Sequence, residues 1–388
     1  MTSPPLGAKI GKFPPYLFRE LDRKKENALK LGEKVISLAV GDPDMPTPRP
    51  IVRYAGREIF NPANHKYPPN TGSRKLKEAI AEWHKKRHGI KIDPETQVLA
   101  LIGSKEGLAH LPFVLVNRGD VVLTPDPCYP AYKTGVILSD AVVKSIPLRE
   151  GTGFLPELEK IPGRVLSRTK LMFLNYPNNP TGALADMDFY AKAVRLAKKH
   201  SFWIAQDAAY SEIYFDRPAR SILEIPGAVD VAVEFYSVSK TFNMTGWRLA
   251  WLIGNSRVIQ ALSRLKEHID SGPFNAIQEA AVYALENIEK FAPAIRREYK
   301  KRKEFFAEKL ASAGWKVFEP GGTFFVWARP PAMMSSMECA DKVFERTFVL
   351  VSPGSGFGRH GEGYVRFSMT ADMPVLAEAA SRISRISW

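Results

Sequence analysis

The sequence predicts an α/β protein in which a large domain carries a mainly parallel sheet and a smaller domain is α+β. Three observations predict it. Short apolar, β-branched runs alternate with helical patterns through the middle of the chain, which implies parallel strands joined by right-handed crossovers. Several of those runs end on a polar residue and a turn, where ligands of open α/β sheets sit. Past a long helical pattern, short strand signals recur at 315–318, 324–328, 349–352 and 364–369. With 388 residues and 45% hydrophobic content, the chain can bury a sizeable core, and two domains are expected.

Taken in order, residues 1–46 read as an extended arm plus part of the small domain. Residues 47–283 read as the large domain and 284–388 as the C-terminal small domain. A helix opens after Thr71-Gly72, with Leu76, Ala79, Ile80 and Trp83 on one face. Strands are expected near 98–102, 121–124, 170–175, 202–207, 231–237 and 249–253. A helical pattern at 189–200 separates two of them, and a long helix from about 286 to 313 leads into the small domain. No internal repeat or low-complexity linker interrupts the pattern.

The formal charge is +14, from 55 Lys and Arg against 41 Asp and Glu. Strongly basic chains can bind nucleic acid or anionic membranes. Here the basic residues are scattered among acids, as in Lys75-Leu76-Lys77-Glu78. The denser run from Arg296 to Lys303 shares a helical pattern with Ile295, Tyr299 and Phe306 and reads as a solvated face. Neither a nucleic acid nor a membrane is expected as a partner. Cys128 and Cys339 offer no disulfide framework and no zinc spacing, so free thiols and no metal are expected. Met1-Thr2-Ser3-Pro4-Pro5 lacks a signal-peptide pattern and no apolar run reaches the length of a membrane span, which suggests a cytoplasmic protein. Gly354-Ser355-Gly356-Phe357-Gly358-Arg359 has Arg359 where a dinucleotide-binding motif needs its third glycine, and reads as a flexible loop over the active site.

Chemistry concentrates in Tyr236-Ser237-Val238-Ser239-Lys240-Thr241-Phe242-Asn243-Met244-Thr245-Gly246-Trp247-Arg248. A lysine between two buried strands is costly to desolvate unless it is neutral or covalently engaged, and such a lysine forms Schiff bases with carbonyls. Ser237 and Arg248 suit a phosphate. A carbonyl and a phosphate on one ligand suggest pyridoxal phosphate. The apolar strand Phe202-Trp203-Ile204-Ala205-Gln206-Asp207 ends in an acid that can keep a pyridine nitrogen protonated, with Tyr210 three residues on. Asn179, in Asn175-Tyr176-Pro177-Asn178-Asn179-Pro180-Thr181-Gly182, offers a donor and an acceptor. Arg366, in Gly363-Tyr364-Val365-Arg366-Phe367-Ser368, suits bidentate capture of a carboxylate.

In this order and over nearly the whole chain, these residues resemble the class I/II aminotransferases, which are fold-type I enzymes dependent on pyridoxal phosphate. The resemblance implies that Lys240 bonds the cofactor and acts as catalytic base. It places Asp207 on the pyridine nitrogen, Tyr210 and Asn179 on the ring oxygen, and Ser237 and Arg248 on the phosphate. Arg366 would bind the substrate α-carboxylate. The turn Gly103-Ser104-Lys105-Glu106-Gly107 would present Ser104 and Lys105 to the cofactor, with Tyr129 stacked on its ring. Tyr67 and Asn275 match residues lent across a homodimer interface.

Within that class, the segments Pro14-Pro15-Tyr16-Leu17-Phe18 with Asp22-Arg23-Lys24-Lys25, Gly103 to Gly107, Asn175 to Gly182, Asp207 to Ile213 and Asn243 to Arg248 are most similar to LL-diaminopimelate aminotransferases, which use 2-oxoglutarate in lysine biosynthesis. That likeness implies substrate contacts from Tyr16, Gly41, Lys105, Asn179 and Arg366. Some members hold the distal ammonium with an acid near the Tyr67 loop. Here Asn64-His65-Lys66-Tyr67-Pro68-Pro69-Asn70 contains none. Alanine, aspartate or aromatic aminotransferases, a carbon–sulfur lyase and a regulator that only binds the cofactor are the alternatives.

Overall fold

The computed structural model describes residues 6–13, 17–318 and 321–388. Its strands are β1 (Ile36–Ser37), β2 (Val98–Leu101), β3 (Val121–Asp126), β4 (Val142–Pro147), β5 (Thr169–Asn175), β6 (Trp203–Asp207), β7 (Ala232–Ser237) and β8 (Ala250–Gly254). They continue with β9 (Lys316–Phe318), β10 (Phe325–Arg329), β11 (Val349–Leu350), β12 (Ser352–Pro353) and β13 (Val365–Ser368). Seven of them form one sheet in the order β2-β8-β7-β6-β5-β3-β4. Only β8 runs antiparallel to its neighbours β2 and β7 in that sheet. The expected mainly parallel sheet is present.

Successive residues of β5 explain why its sequence is a continuous apolar run. Leu171 and Phe173 pack into one core, Met172 and Leu174 into the core on the opposite face. A strand covered on both faces needs apolar residues at every position. β4 escapes the sequence reading for the converse reason. It pairs only with β3, at the sheet edge, and Val142 and Lys144 are exposed, so no apolar run marks it.

The helices follow their capping chemistry. Arg74–His88 begins where the Ser73 side chain accepts from Leu76 N and stops at Gly89, whose φ of +69° is left-handed. Met187–His200 is capped by Asp186. The helix expected at 286–313 is Ile288–Ser312, and a separate helix, Asn275–Glu286, ends just before it where Asn287 leaves the helical region at φ −117°. The basic run in the second is not a solvated face throughout. Arg302 is buried, donating to Asp44 at 2.7 Å and to Glu298 at 2.8 Å, and Lys303 donates to Gly322 O at 2.9 Å. A charge that pairs inside looks the same in sequence as one that faces water.

A four-stranded antiparallel sheet, β12-β13-β10-β9, and the parallel pair β1-β11 complete the fold. The single strand expected at 349–352 therefore divides: β11 pairs with β1, and β12 turns to β13. One core joins Ile36 and Leu38 to Phe306, Phe325, Val349 and Phe367, so the N-terminal segment packs with the C-terminal third. The Gly354 turn is packed rather than a flexible loop. A Cβ at Gly354 would stand 2.0 Å from Gly361 O, and Phe357 is buried. Among the described residues no helix is long and apolar enough to cross a membrane.

Candidate active site

β5, β6 and β7 end side by side, with Asn175 opposite Asp207 and Asp207 opposite Phe235. Beyond their carboxyl ends lies a cavity of about 410 Å³. Its wall contains Gly41, Ser104, Lys105, Tyr129, Asn179, Asp207, Tyr210, Ser237, Lys240, Arg248 and Arg366. Residues spread over more than three hundred positions of sequence thus converge where the topology of an open α/β sheet places a ligand.

Asp207 forms the floor. Tyr132 Oη donates to its Oδ2 at 2.7 Å, and Ala209 N to its Oδ1 at 3.1 Å. Asn175 Nδ2 donates to the Asp207 carbonyl at 2.8 Å, fixing the end of β6. Burial pushes the Asp207 carboxyl up to about 6, against the opposing pull of the Tyr132 and Ala209 hydrogen bonds. The acid is therefore partly neutral near pH 6 and anionic when a cation faces it.

Lys240 lies in the short helix Val238–Thr241, capped by the Ser237 side chain. Its Nζ donates to Gly41 O at 2.7 Å. Burial lowers its pKa to about 8; Asp42 opposes that shift, and Arg366 and Arg248 add to it. A lysine in a cavity wall whose amine gives up its proton this much more readily than usual can act as nucleophile or base once deprotonated. Gly41 has no room for a side chain, since a Cβ would meet Phe325 at 2.5 Å. The Arg302–Asp44 ion pair anchors this loop from behind.

At the other end, Gly103 precedes the helix Ser104–Leu115, whose first turn has no side-chain cap. Free N–H groups and the positive end of the dipole favour an anion there. Arg248 donates to Thr245 O at 2.8 Å and crosses Gly103 so closely that a Cβ there would stand 1.9 Å from Nη2. Arg248 itself has φ +57°, a left-handed conformation that costs a non-glycine residue energy and that its surroundings must impose.

Arg366 is 2% exposed. Its guanidinium lies between the rings of Phe325, at 4.1 Å, and Phe357, at 4.6 Å. Nη1 donates to Asn179 Oδ1 at 2.8 Å and Nη2 to Ala39 O at 2.5 Å. Asn179 is fixed in turn, its N–H donating to Asn175 Oδ1 at 2.8 Å.

Two expected site residues stand apart from this wall. Tyr67 is 89% exposed, and Asn275 Nδ2 donates to Lys66 O at 3.1 Å, so the pair is tied together on the surface. Tyr16 lies outside the described residues. Cys128 is buried with its thiol pushed up to about 12 by burial, as expected of a small core residue. The sequence reading missed Tyr132, Asn175, Asp42 and Asp22, all of which line the cavity. Asn175 had a signal: it ends its strand as Asp207 ends the next. Tyr132 follows Tyr129 by three residues, one helical turn. For Asp22, on the helix Leu17–Lys30, nothing in the local sequence points inward.

Comparison with known proteins agrees with this geometry. The model of the family "Aminotransferase class I and II" matches residues 33–383. The LL-diaminopimelate aminotransferase of Aquifex aeolicus is 46% identical over 97% of this chain and 98% of that protein. Its counterpart in Desulforudis audaxviator is 45% identical over 97% and 96%. A substrate-bound BacF structure from Bacillus subtilis superposes with a TM-score of 0.96 at 41% identity, covering 99% of this chain and 98% of that one. A lysine, an arginine and an aspartate converging beyond a mainly parallel sheet, in a chain matched nearly end to end, make this protein a member of the class I and II aminotransferases, enzymes that depend on pyridoxal phosphate.

Proposed function

We propose that this aminotransferase moves an amino group between LL-diaminopimelate and 2-oxoglutarate. The observation that carries the transaminase chemistry is Lys240, held at Gly41 O in one cavity with the Arg366–Asn179 pair and Asp207. The names of the relatives supply the substrate.

The residues suit pyridoxal phosphate. A ring nitrogen finds an acid already oriented by Tyr132 and Ala209, and a phosphate finds Ser104, Lys105, Ser237, Arg248 and a helix N-terminus. When bound, the cofactor supplies a carbonyl that bonds amines and a ring that accepts electron density. Asp207 would hold the ring nitrogen charged, Tyr210 and Asn179 would hydrogen-bond the ring oxygen, and Tyr129 would cover the ring face. Arg366 would bind the substrate α-carboxylate beside Asn179, and Tyr16, Gly41 and Lys105 would complete the substrate contacts. Lys240 would take the substrate α-proton on its Nζ and hold it for return to the ligand. Burial and the neighbouring guanidiniums make its proton easier to lose than an ordinary lysine's.

Tyr67 and Asn275 serve the site of a second copy in a homodimer. Residues 1–46, 47–283 and 284–388 act as arm, cofactor-binding body and small domain of a cytoplasmic enzyme. The test is a stopped-flow half-reaction of the holoenzyme with LL-diaminopimelate, glutamate, alanine, aspartate and phenylalanine. Rapid conversion to the amine form by the first two alone supports the proposed pair. Conversion by the others with LL-diaminopimelate inert replaces the substrate and keeps the reaction.

A further inference from the structure

The charged groups of the cavity differ in how they are occupied. Lys240 donates to Gly41, Arg366 to Asn179 and Ala39, and Asp207 accepts from Tyr132 and Ala209. Among the described residues Asp42 also lines the cavity exposed and unpaired, but it directly follows Gly41, whose carbonyl holds Lys240 Nζ, and so belongs to the reacting end. Asp22 shares those features and stands on another element, the helix Leu17–Lys30. It is exposed and lines the same cavity, and among the described residues no hydrogen bond or ion pair engages its carboxylate.

Its position is nevertheless fixed. Leu21, beside it, is buried against Ala39 and Leu350, and Lys24 one turn on is paired with Asp341. The helix Leu17–Lys30 is thereby packed next to the loop that carries Gly41. In a chain with 55 basic residues against 41 acidic ones, a carboxylate at the mouth of a cavity lined by Lys105, Lys240, Arg248 and Arg366 stands unneutralised by any of them. A cation on the ligand would find its counter-charge there.

We propose that Asp22 is a specificity-determining residue that receives a second ammonium at the end of the substrate remote from Lys240. The site then favours diamino acids over analogues with the same carbon chain and one amine. This rests on the amino-acid substrate proposed above and identifies what in this chain recognises the distal centre, since residues 64–70 contain no acid.

The test compares LL-diaminopimelate with L-2-aminopimelate, which lacks only the distal ammonium, in the wild-type holoenzyme and in Asp22→Asn, Asp22→Ser and Asp22→Glu. Losing a charge-assisted hydrogen bond should lower kcat/KM for LL-diaminopimelate by about ten- to a hundredfold, mainly through KM. Turnover of 2-aminopimelate should stay within about twofold of wild type, because the lost contact is absent from that substrate. Asp22→Glu should recover part of the loss, and the absorbance of bound cofactor should be unchanged in all three. Equal losses on both substrates, or none on LL-diaminopimelate, would overturn the proposal. If the wild type rejects LL-diaminopimelate, the substrate assignment fails by itself, and L-lysine against L-norleucine tests Asp22 separately. A preference for lysine that disappears in Asp22→Asn supports the role, and no preference in the wild type refutes it.

Discussion

Lys240 illustrates how much of the chemistry is set by where one atom is kept. With burial bringing its amine to about 8, the neutral fraction grows as pH rises through that value. Uptake of pyridoxal phosphate by the apoprotein should accelerate along that limb and level off above it. Lys240→Ala should lose at least about a thousandfold in turnover, the scale of removing a nucleophile and base together. Near-native activity in that variant would remove Lys240 from the mechanism. Glu234 shows the opposite use of burial. It is fully buried on β7, hydrogen-bonded to Ser221, and its carboxyl is pushed up to about 8 by desolvation. The folded chain therefore holds this proton more tightly than the unfolded chain, whose carboxyl has the ordinary value of 4.5. The resulting stabilisation is complete below that value and fades as pH climbs toward about 8. Glu234→Gln should flatten the decline. Urea midpoints of variant and wild type falling in parallel over that window would contradict this.

Among the elements, the turn before the helix Ser104–Leu115 is the most exacting. Gly103→Ala would ask for φ +81° from an alanine and push a methyl group into Arg248. Loss of cofactor affinity by about tenfold or more is expected, read by equilibrium dialysis, because moving one charge-assisted phosphate contact is worth that much. Unchanged affinity would place Arg248 outside the phosphate site. The strand ends that build the floor were legible in the sequence because β5, β6 and β7 are covered on both faces and each stops at a polar residue. Asp207 and Ser237 could be read off for that reason. The edge strand β4 could not, since Val142 and Lys144 face water and only Ile146 is fully buried. Tyr132 holds Asp207 through an oxygen 75 positions away in sequence, and no local pattern encodes that distance. The Arg302–Asp44 pair was hidden in the same way: a basic run gives no sign of which member turns inward.

For the whole molecule, exposed apolar side chains are the clearest unfinished business. Phe60 and Tyr67 are 87% and 89% exposed, far more than two large rings usually are on a lone subunit. Sedimentation should show a dimer, and Tyr67→Ala mixed with Lys240→Ala should regain activity. Random reassociation makes half the dimers mixed, each with one intact site, or about a quarter of wild-type turnover. Mixtures that stay inactive would mean each subunit completes its own site. The hydrogen bond from Arg366 to the Ala39 carbonyl joins residues 327 positions apart, and the core beneath it joins the same two regions. A ribosome making this protein must therefore release every residue between Ala39 and Arg366 before that bond can close, so this corner of the cavity takes shape only after the sheet beneath it has been synthesised.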